Sequence, residues 1–467
     1  MIVFGTDGWR GIIAEDYTFD NLRMVAMATA KYLKSEEPDN PAIVIGYDTR
    51  FMGKKFAEEV AKILASQDIT VHIVDDFAST PQISFHTKQK GAQYGVVITA
   101  SHNPPEYNGY KLKARFGGPA LPEQIAKLEK ELRKIEAKPP KLVLKTLEEY
   151  VAEKKIRYFN AKESYIRNLR KKIDVEAIKE ANFKIIYDPM YGAGINTMKY
   201  IIDNVDEIHD TFNPSFGDID HPEPIYECLN ELMTKVRKGK YDIGIATDGD
   251  ADRLGVVDHE GTFVDSHKVF MIILKYLHEH RRRKGAVAKT VSLTSMVDLY
   301  CTKKGIRLIK TPVGFKYIAK AMVEDKLVIG GEESGGFGTC LHLPERDGLF
   351  NAFLLLEVMA VRQKSLKELC DELDKEFGIH RYLRRDKKVS QEQKAQILAA
   401  CEKSPKKIGK YEVIETDTTD GYKFFVEGGW LLIRASGTEP LIRFYAEADS
   451  IGKVNELLDE GIKLKAK

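Results

Sequence analysis

Three carboxylates at alternate positions, Asp248, Asp250 and Asp252, are the residues most directly suited to chemistry in this sequence. They lie between two apolar stretches that read as strands, and they would repel one another unless a cation lay among them. An EF-hand calcium loop would need glycine and glutamate where this sequence has Arg253 and His259. The spacing therefore predicts an oxygen-rich site for Mg²⁺ or Ca²⁺, and an acidic turn without metal is the alternative.

Ser101 lies in the segment Thr-Ala-Ser-His-Asn-Pro-Pro, directly after an apolar stretch that reads as a strand. The two prolines end any helix or strand there, so the serine is presented on a rigid loop at a strand's carboxyl end, where α/β sheets bind ligands. A serine hydroxyl needs a base or a metal beside it to act as a nucleophile, and His102 is its neighbour in sequence. Taken alone, this loop is equally consistent with a structural turn.

Two further loops carry glycines beside polar side chains. In 330–336, Glu332 and Ser334 supply an acceptor and a donor suited to sugar hydroxyls. In 434–443, two arginines, two hydroxyls and a glycine form a plausible phosphate cradle, because guanidinium groups bind phosphate in a bidentate manner. With the serine and the metal site, these loops indicate a dianionic substrate held at one end while chemistry occurs at the other.

The elements that must position these loops alternate between short apolar runs and amphipathic helical patterns, such as 20–33 and 54–65. This rhythm predicts α/β layers with mostly parallel sheets. After residue 378 the pattern changes to separated strands with a closing helix, which is an α+β arrangement. The strands predicted before residue 378 are 41–47, 70–74, 95–100, 183–188, 241–246, 254–258 and 291–293.

Length and composition exclude several classes of protein. A chain of 467 residues predicts two to four domains. With 72 basic and 70 acidic residues the net charge is +2, which argues against nucleic-acid or membrane partners. Five dispersed cysteines disfavour a disulfide framework or a zinc site. The chain has no apolar run long enough to span a bilayer and no secretory signal, so we expect a cytoplasmic protein.

Together, and in this order, the four loops resemble the signature loops of the α-D-phosphohexomutases of the phosphoglucomutase/phosphomannomutase type. Segments 4–11 and 46–50 are also similar to family segments, so the resemblance covers nearly the whole chain. It implies three related α/β domains and a smaller α+β C-terminal domain around a central cleft. The expected domains are 1–155, 156–261, 262–378 and 379–467.

The resemblance also implies roles for the matching residues. Ser101 is the expected phosphoserine, and with the three aspartates it holds one Mg²⁺ per chain. Arg10, His102 and Lys111 are expected to line the reacting centre, and Glu332 and Ser334 to bind sugar hydroxyls. A hexose 1,6-bisphosphate is the expected activator and intermediate. The clamp for the non-reacting phosphate is expected to comprise Arg434, Ser436, Gly437, Thr438 and Arg443.

One position departs from the family pattern. Several members carry a proposed acid/base histidine where this chain has Gly336. A nearby run, 342–348, is similar to a phosphoglucomutase segment, so His342 or Arg346 is expected to contact substrate instead. Lys111 is then the leading candidate for general base. The remaining predicted substrate-binding residues are Arg253, Thr311 and Gly314.

The sequence thus predicts a phosphohexomutase that interconverts hexose 1-phosphate and hexose 6-phosphate, with small-molecule hexose phosphates as its partners. The sugar loop favours glucose phosphate, with mannose phosphate as a possible second substrate. Phosphoglucosamine mutase is the main alternative, followed by a metal-dependent phosphatase and a sugar-phosphate-binding protein without turnover. The sequence leaves monomer and homodimer both open.

Overall fold

A computed structural model describes residues 1–435 and 441–464. Within these ranges the strands form four sheets, each packed with helices, in the mixed α/β and α+β arrangement that the sequence predicts. The sheets follow one another along the chain, one in each of four domains. The position of each predicted site residue at the edge of its sheet determines which of these side chains come into contact.

The first sheet has the strand order β1-β5-β4-β2-β3-β7, with β6 beside β5. Strands β2, β3 and β4 are parallel, buried and almost continuously apolar, as expected for strands covered by helices on both faces. Its elements are β1 Trp9–Ile12, α1 Phe19–Glu36, β2 Ala42–Tyr47, α2 Gly53–Ser66, β3 Thr70–Val74, α3 Thr80–Gln89, β4 Tyr94–Ile98, β5 Tyr107–Ala114, β6 Gly118–Pro119, α4 Pro122–Ala137, α5 Leu147–Ala152 and β7 Ile156–Phe159.

The second sheet has the order β12-β11-β10-β8-β9. Strands β8 and β10 are parallel, and β11 returns antiparallel to β10, so that the acidic segment 248–252 forms the turn between β10 and β11. The elements are α6 Lys162–Arg170, α7 Val175–Ala181, β8 Ile185–Asp188, β9 Val205–Glu207, α8 Asn230–Gly239, β10 Ile243–Thr247, β11 Leu254–Asp258 and β12 Phe263–Val264.

The third sheet has the order β14-β13-β15-β16. A long apolar helix, α12, follows this sheet and packs against β10 and β11 of the second sheet; its first turn is capped by the Asp347 side chain, which accepts from Phe350 N–H at 2.9 Å. The elements are α9 Ser266–Lys275, β13 Ala286–Thr290, α10 Met296–Lys304, β14 Leu308–Thr311, α11 Phe315–Glu324, β15 Leu327–Gly331, β16 Phe337–Thr339, α12 Gly348–Arg362 and α13 Leu366–Phe377.

The fourth sheet is antiparallel, in the order β17-β22-β21-β20-β19-β18. Three of its elements, β17, α14 and β18, were not predicted from the sequence. β17 is rich in charged side chains and lacks an apolar alternation, and β18 has only two residues. The elements are β17 Arg381–Lys388, α14 Gln391–Glu402, β18 Lys407–Ile408, β19 Tyr411–Asp417, β20 Tyr422–Val426, β21 Gly429–Ala435, β22 Leu441–Ala448 and α15 Ile451–Lys463.

The predicted strand 291–293 is wrong. The strand of this region is β13, which ends at Thr290, and residues 291–293 form the turn that follows it. β13 carries Lys289, which suggests an exposed segment, but its ammonium is buried and bonds the Leu293 and Thr294 carbonyls. A lysine satisfied by a later turn is invisible to a hydrophobicity pattern.

Two of the predicted domain boundaries separate a strand from its sheet. β7 pairs in parallel with β3, although it follows the predicted boundary at 155, and β12 pairs with β11 beyond the boundary at 261. We therefore propose that the first domain ends after Phe159 and the second after Val264. The boundary at 378 falls in the loop between α13 and β17.

Buried apolar side chains show how the domains are joined. The first domain has its own core, and the second and third share one continuous core that extends from Tyr165 to Leu373. The fourth domain has a separate core and a small apolar contact with the third, in which Val291 packs against Trp430. Among the described residues, no helix is long and apolar enough to cross a bilayer.

Candidate active site

Ser101 is held in a strained position at the end of β4. Its φ is 55°, in the left-handed region that non-glycine residues rarely adopt. Its N–H donates to Thr99 Oγ1 at 2.8 Å, and the Thr99 hydroxyl in turn donates to Asp48 Oδ2 at 2.5 Å. The residue is buried, and these bonds direct its hydroxyl toward the second domain.

The guanidinium of Arg50 organises the whole serine loop. It is fully buried and donates to the backbone carbonyls of Ser101 at 2.7 Å, Asn103 at 2.5 Å, Pro104 at 2.7 Å and Tyr107 at 3.0 Å. A planar group with five fixed donors suits this task, whereas a lysine has a single point charge. The sequence placed Arg50 in a family-like segment but could not predict this role, because its partners are more than fifty residues away in sequence.

The acidic turn meets Ser101 directly. The side chains of Asp248, Asp250 and Asp252 are buried, and one oxygen of each lies within 4.8 Å of the others. The hydroxyl of Ser101 donates to Asp248 Oδ2 at 2.8 Å. Gly249 permits this approach, because a Cβ atom there would lie 2.4 Å from the Ser101 carbonyl oxygen. The structure therefore brings together the serine and the three aspartates that the sequence singled out.

This cluster fits a divalent cation. Within the described residues, the Oδ1 atoms of Asp250 and Asp252 are buried and have no hydrogen-bond partner. Buried carboxylate oxygens without a donor are costly unless a cation or water satisfies them. Carboxylate and hydroxyl oxygens are ligands that Mg²⁺ accepts readily, so the donor set suits the predicted metal.

Basic side chains surround the aspartates. Lys111 Nζ lies 2.7 Å from Asp250 Oδ2, 2.7 Å from Asp7 Oδ2 and 3.2 Å from Asp252 Oδ2. Arg346 Nη2 lies 2.6 Å from Asp252 Oδ2 and 2.5 Å from Asp7 Oδ2. Asp7 thus joins the two cations; the sequence placed it in the family-like segment 4–11 but predicted no role for it.

Burial and charge shift the pKa values here in opposite directions. Burial, together with Asp252 and Asp250, raises the pKa of Asp248 well above its usual range. Burial alone would lower the pKa of Lys111, but Asp250, Asp252 and Asp7 outweigh it and raise that pKa. Lys111 is therefore held as an ammonium group, which can neutralise negative charge. Its predicted role as general base stays a prediction.

His102, Arg10 and Arg253 lie close to Ser101 or to residues that contact it. His102 Nδ1 is 3.3 Å from Ser101 Oγ, and burial together with the charge of Arg253 lowers the pKa of the imidazole, so the ring is neutral. Arg10 Nη1 donates to Asn103 Oδ1 at 2.5 Å. Arg253 Nη1 lies 2.7 Å from Glu223 Oε1, an acidic residue that the sequence analysis did not identify.

The predicted sugar loop follows β15 and faces the same cluster. Glu332 Oε2 lies 3.3 Å from Arg346 Nη1, and its Oε1 accepts from Gly314 N–H at 3.1 Å. Burial raises the pKa of Glu332 to about 7, even though Arg346 opposes the shift. Ser334 is half-buried in the same loop, and Thr311 is buried at the end of β14.

His342 and Arg346 have different surroundings, although the sequence predicted one or the other as the substrate contact. Arg346 contacts the aspartate cluster, as described above. His342 Nε2 instead lies 2.9 Å from Asp347 Oδ2, the cap of α12, and His342 Nδ1 lies 3.4 Å from Asn168 Nδ2. Among the described residues, His342 therefore makes no hydrogen bond with the aspartate cluster.

The predicted phosphate clamp is described only in part. Arg434 Nε donates to Asp420 Oδ2 at 2.7 Å, and that carboxylate also accepts from Val313 N–H, at 2.9 Å, beside the loop that carries Gly314. Arg443 Nε lies 3.5 Å from Asp386 Oδ2 on the neighbouring strand β17. The predicted residues Ser436, Gly437 and Thr438 lie outside the described ranges.

The same arrangement of four domains is found in a known protein family. Models of the phosphoglucomutase/phosphomannomutase family match four parts of the chain: α/β/α domain I at 1–139, domain II at 163–261, domain III at 265–377 and the C-terminal domain at 385–464. The phosphoglucomutase/phosphomannomutase of Thermococcus kodakarensis is 33% identical, covering 99% of this chain and 98% of its own. The chain belongs to the phosphoglucomutase/phosphomannomutase family.

Other members of the family show its range. The phosphoglucosamine/phosphogalactosamine mutase of Sulfurisphaera tokodaii is 30% identical, with 98% of both chains covered. A crystal structure of a phosphomannomutase-type protein from Thermus thermophilus is 32% identical, covers 99% of this chain and 98% of its own, and superposes with a TM-score of 0.86. This phosphohexomutase is thus an intramolecular phosphotransferase, and its relatives differ in the sugar that they are named for.

Proposed function

We propose that this phosphohexomutase interconverts hexose 1-phosphate and hexose 6-phosphate by way of a phosphorylated Ser101. The observation that carries the proposal is the contact between Ser101 Oγ and Asp248 Oδ2, 2.8 Å apart, inside a buried carboxylate triad. A hydroxyl placed beside a cation site and surrounded by Lys111 and Arg346 is suited to carry a phosphoryl group whose charge those groups neutralise.

Asp248, Asp250, Asp252 and the oxygen of Ser101 would hold the metal, proposed as one Mg²⁺ per chain. A bound Mg²⁺ supplies charge neutralisation at a transferring phosphoryl group. Lys111 keeps Asp250 and Asp252 oriented by its ion pairs, and Arg346 does the same for Asp252. Arg50 holds the serine backbone in place during both halves of the reaction.

The proposed reaction has two phosphoryl transfers. In the first, the 6-hydroxyl of a hexose 1-phosphate attacks the phosphorus of phospho-Ser101, the Ser–O–P bond breaks, and the hydroxyl proton passes to a base of the site. The resulting hexose 1,6-bisphosphate then turns round in the cleft. In the second transfer, Ser101 Oγ attacks the phosphorus of the 1-phosphate, the bond between that phosphorus and the sugar O1 breaks, and the base returns the proton to O1 as hexose 6-phosphate is released. A small amount of hexose 1,6-bisphosphate would activate enzyme that had lost its phosphoryl group.

The C-terminal domain is proposed to hold the phosphate that is not reacting. Arg434 and the Pro312–Gly314 turn both contact Asp420 and are therefore neighbours. A phosphate bound by Arg434 would thus lie near the sugar loop. Guanidinium groups bind phosphate whichever end of the sugar presents it, which suits a substrate that must bind in two orientations. Ser436, Gly437, Thr438 and Arg443 are the other proposed members of this clamp.

Glucose phosphate is the proposed preferred substrate, and mannose phosphate the second. Glu332 and Ser334 offer an acceptor and a donor to ring hydroxyls, and the buried Glu332 would accept from an equatorial pair. Mannose differs from glucose only at C2. Glucosamine phosphate is the specific alternative, because the relative from Sulfurisphaera tokodaii is named as a phosphoglucosamine/phosphogalactosamine mutase.

The test is a comparison of kcat/KM for glucose, mannose and glucosamine 1-phosphates, with Mg²⁺ and a trace of glucose 1,6-bisphosphate. A preference of tenfold or more for glucose 1-phosphate supports the proposed specificity, and the Glu332→Gln variant should reduce it. Equal rates on glucose and mannose would indicate dual specificity. A preference for glucosamine 1-phosphate would replace the proposed substrate, and no turnover on all three would overturn the proposed reaction.

A further inference from the structure

A basic crevice lies apart from the aspartate cluster, where the end of α3, the outer face of α6 and the loop beginning at His342 meet. It encloses about 440 Å³, which lies in the range of small-molecule sites. Its cationic lining consists of Lys88, Arg167, Lys171 and Lys172. None of these residues has a role in the proposed phosphoryl transfer.

The positive charge of the crevice is poorly compensated. None of the lining residues is acidic. Of the four lining cations, only Arg167 has a carboxylate of the described residues at ion-pair distance, that of the exposed Glu163 at 3.7 Å. Lys172 Nζ donates to the Leu341 carbonyl at 2.5 Å. Burial lowers the pKa of Lys172, and the nearby charge of Lys88 lowers it further. Like charges gathered around a concave space favour binding of an anion.

The rest of the lining suits an organic phosphate better than a bare ion. Asn168 and Ser164 bring polar side chains to the crevice, and Phe85 and Leu343 form an apolar part of its wall. An apolar wall beside several cations matches a ligand with one sugar or base face and more than one phosphate. Because the space is concave and small, it fits a metabolite better than an extended acidic polymer.

Two elements connect this crevice with the reacting centre. At the start of α3, Thr80 N–H donates to the Asp250 carbonyl at 3.0 Å and its hydroxyl donates to Asp250 Oδ2 at 2.5 Å, while Lys88 near the end of the same helix lines the crevice. The second connection is the loop 342–346. It leaves the crevice at His342 and reaches Asp252 through Arg346.

From this geometry we infer that the crevice binds a small metabolite carrying two or more phosphate groups, and that its occupancy alters turnover through α3 and the 342–346 loop. This site is separate from the cleft for the hexose phosphate. The inference holds whichever hexose the enzyme prefers. A ligand that draws Lys88 and Lys172 together would act on the end of α3 and, through that helix, on the position of Asp250.

Binding is tested with pyrophosphate by titration calorimetry in metal-free buffer at fixed ionic strength. The crevice variant is Lys88→Gln/Lys171→Gln. The matched control is Lys31→Gln/Lys34→Gln, which removes two exposed lysines from α1 in the same domain as Lys88. We expect the crevice variant to lose a binding component, or to bind at least tenfold more weakly, while wild type and control agree. Equal binding by all three proteins would overturn the inference.

Coupling is tested by measuring kcat with pyrophosphate at saturating hexose 1-phosphate and fixed free Mg²⁺. Competition within the catalytic cleft raises KM but leaves kcat unchanged, so a change in kcat reports binding outside that cleft, and the crevice variant tests whether the crevice is the place. We expect kcat to change at least twofold in wild type and control and to stay constant in the crevice variant. A constant kcat in all three proteins would refute the coupling, and an equal change in all three would assign the effect to another site.

Discussion

The reacting centre and the arginine face of the C-terminal domain are both proposed to bind phosphate, but they are built differently. At the reacting centre, Ser101, Lys111 and the three aspartates are at most 1% exposed, and the charges compensate one another inside the protein. On the C-terminal sheet, the side chains of Arg434 and Arg443 are 13% and 27% exposed. One site is assembled before substrate arrives, whereas the other is partly accessible to solvent.

This difference has an energetic consequence. Removing one member of a buried ion network leaves its partners uncompensated, at a cost of about 3–5 kcal/mol, and displaces the reacting atoms as well. Removing a partly exposed arginine mainly forfeits its contact with the ligand. Substitutions at the reacting centre should therefore lower kcat, and substitutions on the C-terminal face should raise KM.

The largest expected effect is that of Ser101→Ala. If Ser101 carries the phosphoryl group, kcat should fall by roughly 10⁴-fold or more, because no other group replaces the nucleophile. Steady-state kinetics and a thermal melt measure the effect. The melting temperature should stay close to that of wild type, as should the kcat of the control Ser35→Ala, a change of an exposed serine on α1. An active Ser101→Ala enzyme would rule out the mechanism.

Arg50→Lys sharpens the comparison within the reacting centre. A lysine cannot bridge the four carbonyls of the serine loop, so the loop should loosen and kcat fall by about 10²-fold with little change in KM. Kinetics with saturating glucose 1-phosphate provide the measurement. Arg23→Lys, at an arginine paired with Glu59 in the same domain, is the control and should keep its kcat. An unchanged kcat in Arg50→Lys would remove Arg50 from the positioning of Ser101.

Arg434→Ala tests the other side of the comparison. Loss of one charge-assisted contact with phosphate, worth about 1.5–3 kcal/mol, should raise KM roughly 10- to 100-fold while kcat changes by less than about threefold. The control is Arg381→Ala, an exposed arginine on β17. A fall in kcat larger than the rise in KM would mean that the C-terminal face takes part in the chemistry, and the contrast between the two regions would fail.

The smallest expected effect concerns Glu332, which lies between the two regions. Burial raises its pKa to about 7, so the side chain is mostly a carboxylate at high pH and mostly neutral at low pH. The ratio of kcat/KM between wild type and Glu332→Gln should therefore decrease severalfold as the pH falls through a midpoint of about 7. Taking the ratio cancels the titration of the substrate phosphate. A ratio independent of pH would show that the ionised form of Glu332 does not assist binding.

Local sequence predicted those parts of the site that depend on neighbours in the chain. The acidic turn needed only three aspartates at alternate positions between two strands, and the structure has that turn between β10 and β11. The positions of β2, β3 and β4 likewise followed from continuous apolar runs. The α/β class of the first three domains was predictable for the same reason.

Other parts depended on packing between distant segments. Arg346 and Asp7, which form an ion pair, are 339 residues apart in sequence, and Arg50 reaches carbonyls of a loop on another strand. His342 was grouped with substrate contacts by its similarity to a family segment, yet its ring pairs with Asp347 at the start of α12. A charged residue can be read from sequence, but the partner that fixes its orientation cannot.

The sequence by itself determined which chemical groups the enzyme has and on which strand ends they lie, because strand and turn propensities act over a few residues. Only the tertiary structure decided that Ser101 meets Asp248, that Lys111 and Arg346 share Asp7, and that four cations surround a crevice beside α3. The physical reason is that burial and charge compensation are properties of the packed domains, and they arise only when segments hundreds of residues apart come into contact.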